Sequence, residues 1–202
     1  MISNEVIKVG AYEVNCTILW NGGDALVVDP GQDAEYILDV ISKNNLTLRG
    51  ILLTHGHFDH VNGIPGLLEK ESDAPVYMHP ADWVMFGHPM NRNSPDYPGV
   101  ERPKDLRDIR RISEDFPAFG FEVIETPGHT PGSVCIKSGA QLFSGDTLFA
   151  GSCGRTDFPG GSMTDMRKSL AKLAELPFDT RVLPGHGPAT TIGYEVSNNP
   201  FM

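Results

Sequence analysis

The sequence is short of three things, and each shortage removes a class of protein. Cysteine is the first. Three occur in 202 residues, Cys16, Cys135 and Cys153. The number is odd and no pair has the Cys-x-x-Cys spacing, so neither a disulfide framework nor a thiolate zinc knuckle is indicated. Positive charge is the second. Lys and Arg total 16 against 26 Asp and Glu, a formal net charge of −10. A duplex-binding protein presents a basic face, so no nucleic-acid partner is expected. The third is a long apolar run. Nothing approaches the roughly 20 residues of a membrane helix, and the first residues are acidic rather than those of a secretory signal peptide. A cytoplasmic location with no membrane partner is the expectation.

What is present is histidine, unevenly placed. Thr54-His55-Gly56-His57-Phe58-Asp59-His60 holds four potential metal ligands directly after the apolar run Ile51-Leu52-Leu53. Imidazole and carboxylate together are the ligand set of zinc and its first-row neighbours. Further candidates recur singly in turns rich in Gly and Pro: His129, Asp146 and His186. Each follows a strand-like run, which is where a rigid scaffold places functional side chains.

In chain order, residues 5–9, 16–20 and 25–28 read as strands, and Asn21 to Asp24 as a hairpin turn. Asp29-Pro30-Gly31 reads as a loop at the end of the sheet. Asp33 is expected to cap a helix whose apolar side is Tyr36, Ile37, Val40 and Ile41. Residues 48–53 read as an apolar strand of the buried kind, broken only by Arg49 and Gly50. A helix opened by residues 62–66 runs to Lys70, residues 75–78 form a strand, and a short helix follows Pro80. Residues 87–104 show no period and read as an irregular excursion walling the site. The second half repeats the pattern: a strand at 121–125, a hairpin from 134–137 to 141–143, a helix from Thr164 to Leu176 with Met166, Leu170, Leu173 and Leu176 on its apolar side, and a strand at 181–183. The expected class is α/β (α+β): two facing mixed β-sheets covered outside by helices, a four-layer αβ/βα sandwich, in a single domain over residues 1–202. His79 reads as structural, His88 as exposed, and Tyr194 and Glu195 as fasteners of the tail. The cysteines read as ordinary thiols, with Cys153 near enough to the site to be oxidised.

The block Thr54–His60 fits the THxHxDH signature of the metallo-β-lactamase fold superfamily. The stretches around His129, Asp146 and Pro184-Gly185-His186-Gly187 resemble its later motifs, in the same order. The resemblance implies one metal on His55, His57 and His129, a second on Asp59, His60 and His186, and Asp146 bridging both together with a hydroxide. It implies two zinc ions, with iron or manganese as alternatives. Two divalent ions against two carboxylates and a hydroxide leave about +1, a balanced centre. Asp59 and Asp146, with the metal-bound hydroxide, would be catalytic.

Many secreted β-lactamases of this fold carry cysteine where this chain has Asp146, so antibiotic hydrolysis is not expected. Ser152 to Phe158 resembles the loop that follows the bridging aspartate in glyoxalase II enzymes and in persulfide dioxygenases. Arg155 stands where glyoxalase II has a basic residue meeting a glutathione carboxylate. The tail looks like that of a short-form glyoxalase II-like hydrolase (hydroxyacylglutathione hydrolase-like), without the helical domain that supplies further glutathione-binding residues in the long form. The implied activity is thioester hydrolysis of S-2-hydroxyacylglutathione type, with a small-molecule thioester or glutathione conjugate as partner. A mononuclear-iron persulfide dioxygenase, using His55, His129 and Asp146, and a lactonase are the alternatives. Oligomeric state is not legible in the sequence.

Overall fold

The computed structural model describes residues 2–91 and 97–202. Residues 92–96, inside the irregular excursion, lie outside the described residues. The chain divides into two compact units, Met1–Arg111 and Ile112–Met202.

The first unit is built on a six-stranded mixed sheet in sequential order. Its strands are β1 (Ser3–Val9), β2 (Val14–Asn21), β3 (Asp24–Val28), β4 (Thr47–Leu52), β5 (Val76–Met78) and β6 (Leu106–Asp108). β1, β2 and β3 are antiparallel neighbours, and the β2–β3 register places Asn21 opposite Asp24, as the hairpin reading requires. From β3 to β6 every pairing is parallel. Those strands therefore end along one edge, and the loops leaving that edge carry Asp29, His55 and His79. The connections are α1 (Ala34–Lys43), α2 (Phe58–Val61) and α3 (Ile64–Lys70). α1 buries Ile37, Val40 and Ile41, part of a core that includes Ile18, Val27, Ile51, Leu53 and Ile64. Each such side chain contributes roughly 1.5–3 kcal/mol by leaving water.

Two expectations about α1 are corrected. Tyr36 is exposed, because the stripe that reaches the sheet is the narrow set 37, 40 and 41. Asp33 stands at the N-cap in the left-handed region, φ 55°. Its carboxylate accepts the Gly10 N–H at 2.8 Å instead of a helix N–H, so it ties the β1–β2 turn to the start of the helix.

The second unit opens with a short helix, α4 (Ile112–Asp115). Its five-stranded mixed sheet contains β7 (Phe121–Glu125), β8 (Val134–Ser138), β9 (Gln141–Gly145), β12 (Arg181–Pro184) and β13 (Thr190–Thr191), in the order β13-β12-β9-β8-β7. A two-stranded ribbon, β10 (Leu148–Phe149) with β11 (Ser152–Cys153), is hydrogen-bonded separately from that sheet. β7–β8 and β8–β9 are antiparallel and β9–β12 is parallel, so β7, β9 and β12 all point one way. The loops at their carboxyl ends hold His129, Asp146 and His186.

Helix α5 (Met163–Leu173) is capped by Ser162, whose hydroxyl accepts the Asp165 N–H. It buries Met166, Leu170 and Leu173 against Leu142, Val182 and Ile192. Leu176 lies past its end and is partly buried. Helix α6 (Ile192–Asn198) closes the chain. Glu195 fastens the tail: fully buried, it accepts from Gly151 N–H, Thr190 Oγ1 and Asn199 Nδ2 at 2.6–2.8 Å. Tyr194 is exposed, a correction to its expected role; one position from Glu195, it is turned about 100° around the helix from the buried side. Among the described residues no helix is long and apolar enough to cross a membrane.

Candidate metal centre

The first half of the site is made by β4 and the turn after it. Ile51, Leu52 and Leu53 are fully buried, and they carry Thr54 and the histidines inward with them. The backbone stays extended at His57 and then turns into α2, which presents Asp59 and His60. The rings of His55 and His57 stand 4.9 Å apart, and those of His55 and His60 4.2 Å apart. All three histidines are at most 4% exposed. Three imidazoles do not share a dry cluster without a polar reason.

That reason is partly visible in Asp29, in the loop that follows β3. Its carboxylate is buried and accepts the Thr54 N–H at 2.8 Å and the Thr54 hydroxyl at 2.7 Å. Since the hydroxyl donates to Asp29, its oxygen is left to accept from His55 Nδ1, 3.1 Å away. The proton of His55 therefore sits on Nδ1, and the Nε2 lone pair is available as a ligand. His60 Nδ1 lies 3.0 Å from Asp29 Oδ2. His60 Nε2 then faces Asp59 Oδ2 at 3.9 Å.

The second half repeats the device. His129 Nδ1 lies 2.7 Å from the carbonyl oxygen of Arg155, an atom that can only accept. Nε2 is again the free-lone-pair nitrogen, and it faces Asp146 Oδ2 at 3.5 Å. His186 Nε2 faces the same oxygen at 3.8 Å. These separations exceed a hydrogen bond. Two ligand atoms each ~2.0–2.1 Å from one ion, at a tetrahedral angle, stand about 3.4 Å apart. Histidines whose far nitrogen is held by a carboxylate or carbonyl while the near one faces a carboxylate at this spacing form the outer-shell pattern of a metal site. Imidazole with carboxylate, the donor set of each half, is of the kind that holds a divalent ion.

Glycine makes both halves possible. A Cβ on Gly31 would run into the Asp59 carbonyl oxygen, and one on Gly154 into that of Asp146. An aromatic group borders the first half: Tyr12, Phe58 and Tyr97 meet edge to face with centroids 5.0–5.4 Å apart. Phe58 was visible inside the heptad, but its two partners come from distant turns.

Arg155 is exposed and pairs with Asp157 through Nε and Nη2, both at 2.8 Å. Its guanidinium lies 3.8 Å over the Phe158 ring. The pair holds the Asp157 carboxyl down at about 2. Cys153 is half-buried and burial raises its pKa, which works against the expected ease of oxidation because the thiolate is the reactive form. His79 is structural, its Nδ1 accepting the Ala81 N–H at the start of a 3-10 turn, and His88 is exposed.

Residues 9–186 match the model of the metallo-beta-lactamase superfamily. The hydroxyacylglutathione hydrolase GloC of Haemophilus influenzae is 34% identical over 206 residues, covering 98% of this chain and 97% of that protein. Two solved structures are each 38% identical. The B3 metallo-beta-lactamase BLEG-1 superposes with a TM-score of 0.91, covering 98% of this chain and 99% of its own. TTHA1623 in a di-iron-bound form superposes at 0.86, covering 98% and 100%. The ordered ligand motifs, the two mixed sheets with their helices and this match over most of the length agree: the chain belongs to the metallo-beta-lactamase superfamily and is a metallohydrolase of that fold.

Proposed function

We propose that the seven ligands form a dinuclear centre, with His55, His57 and His129 on one ion, Asp59, His60 and His186 on the other, and Asp146 shared. The observation that carries the reading is Asp146: one carboxylate oxygen is faced by two histidine Nε2 atoms, at 3.5 and 3.8 Å, as a bridging ligand would be. The reaction is thioester hydrolysis, with S-2-hydroxyacylglutathione-type substrates. The likeness to GloC supports that choice of bond.

When bound, two divalent ions supply an acidified water and a Lewis acid for the substrate carbonyl. The chain's own residues do the rest. Asp59, poised beside His60, orients the attacking water and holds its proton. Burial of His55, His57 and His60 excludes bulk water from one side of the centre. The departing thiol has an ordinary pKa near ~8.5, so it leaves as thiolate without a dedicated acid. Arg155 receives a substrate carboxylate by exchanging it for Asp157. Exposed pairs of that kind contribute little because water screens them, so the exchange is cheap.

The test is to measure bound metal in protein purified without chelator, then to compare three assays. These are S-lactoylglutathione hydrolysis, oxygen uptake with glutathione persulfide, and hydrolysis of a chromogenic β-lactam. Two metal equivalents with thioesterase activity are expected. A single iron with oxygen consumption, or β-lactam turnover exceeding thioester turnover, refutes the assignment. Zinc, iron and manganese reconstitution of stripped protein then identifies the working metal.

A further inference from the structure

Gly56, between the first two histidines of the heptad, is gripped at both its N–H and its carbonyl oxygen. Asp82 Oδ2 accepts the Gly56 N–H at 3.0 Å. Asn91 Nδ2 donates to the Gly56 carbonyl oxygen at 2.6 Å and to the Met85 carbonyl oxygen at 3.0 Å. Asp82 is completely buried and Asn91 is 2% exposed. A carboxylate without solvent is expensive and is retained where it organises something. The space beside Gly56 is closed as well: a Cβ there would stand 3.0 Å from both Cβ and Sδ of Met85.

The clamp itself is built firmly. Asp82 lies in the 3-10 turn Pro80–Met85 that His79 caps, and Trp83 Nε1 donates to the Met78 carbonyl oxygen at 3.1 Å, holding that turn to the end of β5. Asn91 ends the next 3-10 turn, Pro89–Asn91. The excursion after β5 therefore reaches back to the end of β4 and fixes two successive peptide planes there, His55–Gly56 through its N–H and Gly56–His57 through its C=O. Rotation of the first would reorient His55 and rotation of the second His57, because each plane ends on one of the two histidine Cα atoms.

We infer that Asp82 and Asn91 are positioning residues that hold His55 and His57 in register as a ligand pair. The inference rests on the dinuclear reading above and adds to it a selective effect, on one ion and not the other. Gly56 touches neither Asp59 nor His60 in sequence, and the hydrogen bonds of Asp82 and Asn91 named here do not extend to those residues.

The experiment is a zinc titration of the full chain against a chromophoric chelator, resolving the affinities of the two equivalents. Wild type is expected to take up two. In Asp82→Ala one affinity should fall on the order of 10- to 100-fold, the usual effect of losing an outer-shell partner, while the other is unchanged. Asp82→Asn keeps an acceptor oxygen for the Gly56 N–H and should restore most of the loss. Asn91→Ala should weaken the same equivalent as Asp82→Ala, and it carries the test if Asp82→Ala does not fold. Unchanged affinities in folded Asp82→Ala, or an equal loss at both equivalents, overturn the positioning role. A wild-type chain that takes up no zinc overturns the dinuclear reading instead, and the role built on it.

Discussion

Replacing Asp29 by asparagine changes almost no volume and yet should disable a metal ligand. The left-handed backbone at this position, φ 51°, tolerates asparagine, so the fold should survive. The consequences follow from which atom faces which. Oδ1 accepts the Thr54 N–H, so the amide oxygen must occupy that place. The amide nitrogen then falls where Oδ2 was, beside the Thr54 hydroxyl and 3.0 Å from His60 Nδ1. It can only donate. Thr54 must accept from it and turn its own proton toward His55 Nδ1. In that ring the proton moves to Nε2, the atom proposed to bind metal. Forcing the metal-competent tautomer back leaves a buried donor mispaired at His55, about 1–3 kcal/mol. That corresponds to a loss of roughly 5- to 150-fold in affinity per site, of the size seen for outer-shell partners. The assay is zinc competition with a chelator, joined to 15N NMR of the imidazoles in metal-free protein, where protonated and bare nitrogens resonate apart. Wild-type zinc affinity in Asp29→Asn, with His55 still protonated on Nδ1, would refute the reasoning.

The thiols give a pH prediction. Burial pushes Cys135 up to about 11, and Cys16 is raised by burial and by the Asp29 charge. The unfolded thiol ionises near ~8.5, so above that pH the unfolded state sheds a proton that the folded state keeps. The stability this contributes is complete below ~8.5 and is lost as pH rises toward the folded value. Urea midpoints should therefore fall between pH 8 and pH 10, and less steeply in Cys135→Ala; identical slopes would contradict this. With iodoacetamide at neutral pH, Cys153 should react and the other two should wait for unfolding. Gly154→Ala should push the Asp146 carbonyl aside, at the ~1–3 kcal/mol of an overpacked core, and weaken metal binding with it. Wild-type melting temperature and zinc stoichiometry in that variant would contradict the packing argument.

The sequence was legible where information is local. Strands β3 and β4 are runs of apolar and β-branched residues, and the heptad packs its ligands so densely that no partner is needed to notice them. What stayed hidden depends on pairing. Asp29 matters because β3 lies beside β4 in parallel, with Val28 opposite Leu52, which brings residues 25 positions apart into hydrogen-bond contact. Its one local signal was an acid ending an apolar strand before Pro30 and Gly31. Asp82 and Asn91 come from a stretch with no period at all. The helical turn at Phe58–Val61 and the two-residue strands β10 and β11 are too short to show one. β6 alternates Leu106 with charged neighbours that pair among themselves, Arg107 with Asp105 and Arg110 with Asp108, so its pattern resembles a solvated loop.

The direction of the strands explains why the ligands occur where they do along the chain. A parallel pair ends on the same side of its sheet, and an even number of antiparallel steps restores the same direction. β3, β4 and β5 satisfy the first condition, and β9 with β12 satisfies it in the second unit; β7 reaches it through two antiparallel steps. Ligands delivered at carboxyl ends of co-directional strands need no long loops to meet within a unit, and the spacing of the motifs in sequence is then set by the length of one connection each. His55 and His57 follow β4 after α1, and His186 follows β12 after α5. Asp146 needs only the tight β8–β9 turn. A substitution that slipped β4 by one residue against β3 would turn Ile51 and Leu53 to the opposite face and carry both histidines with them. The core therefore holds the register that the metal ligands depend on.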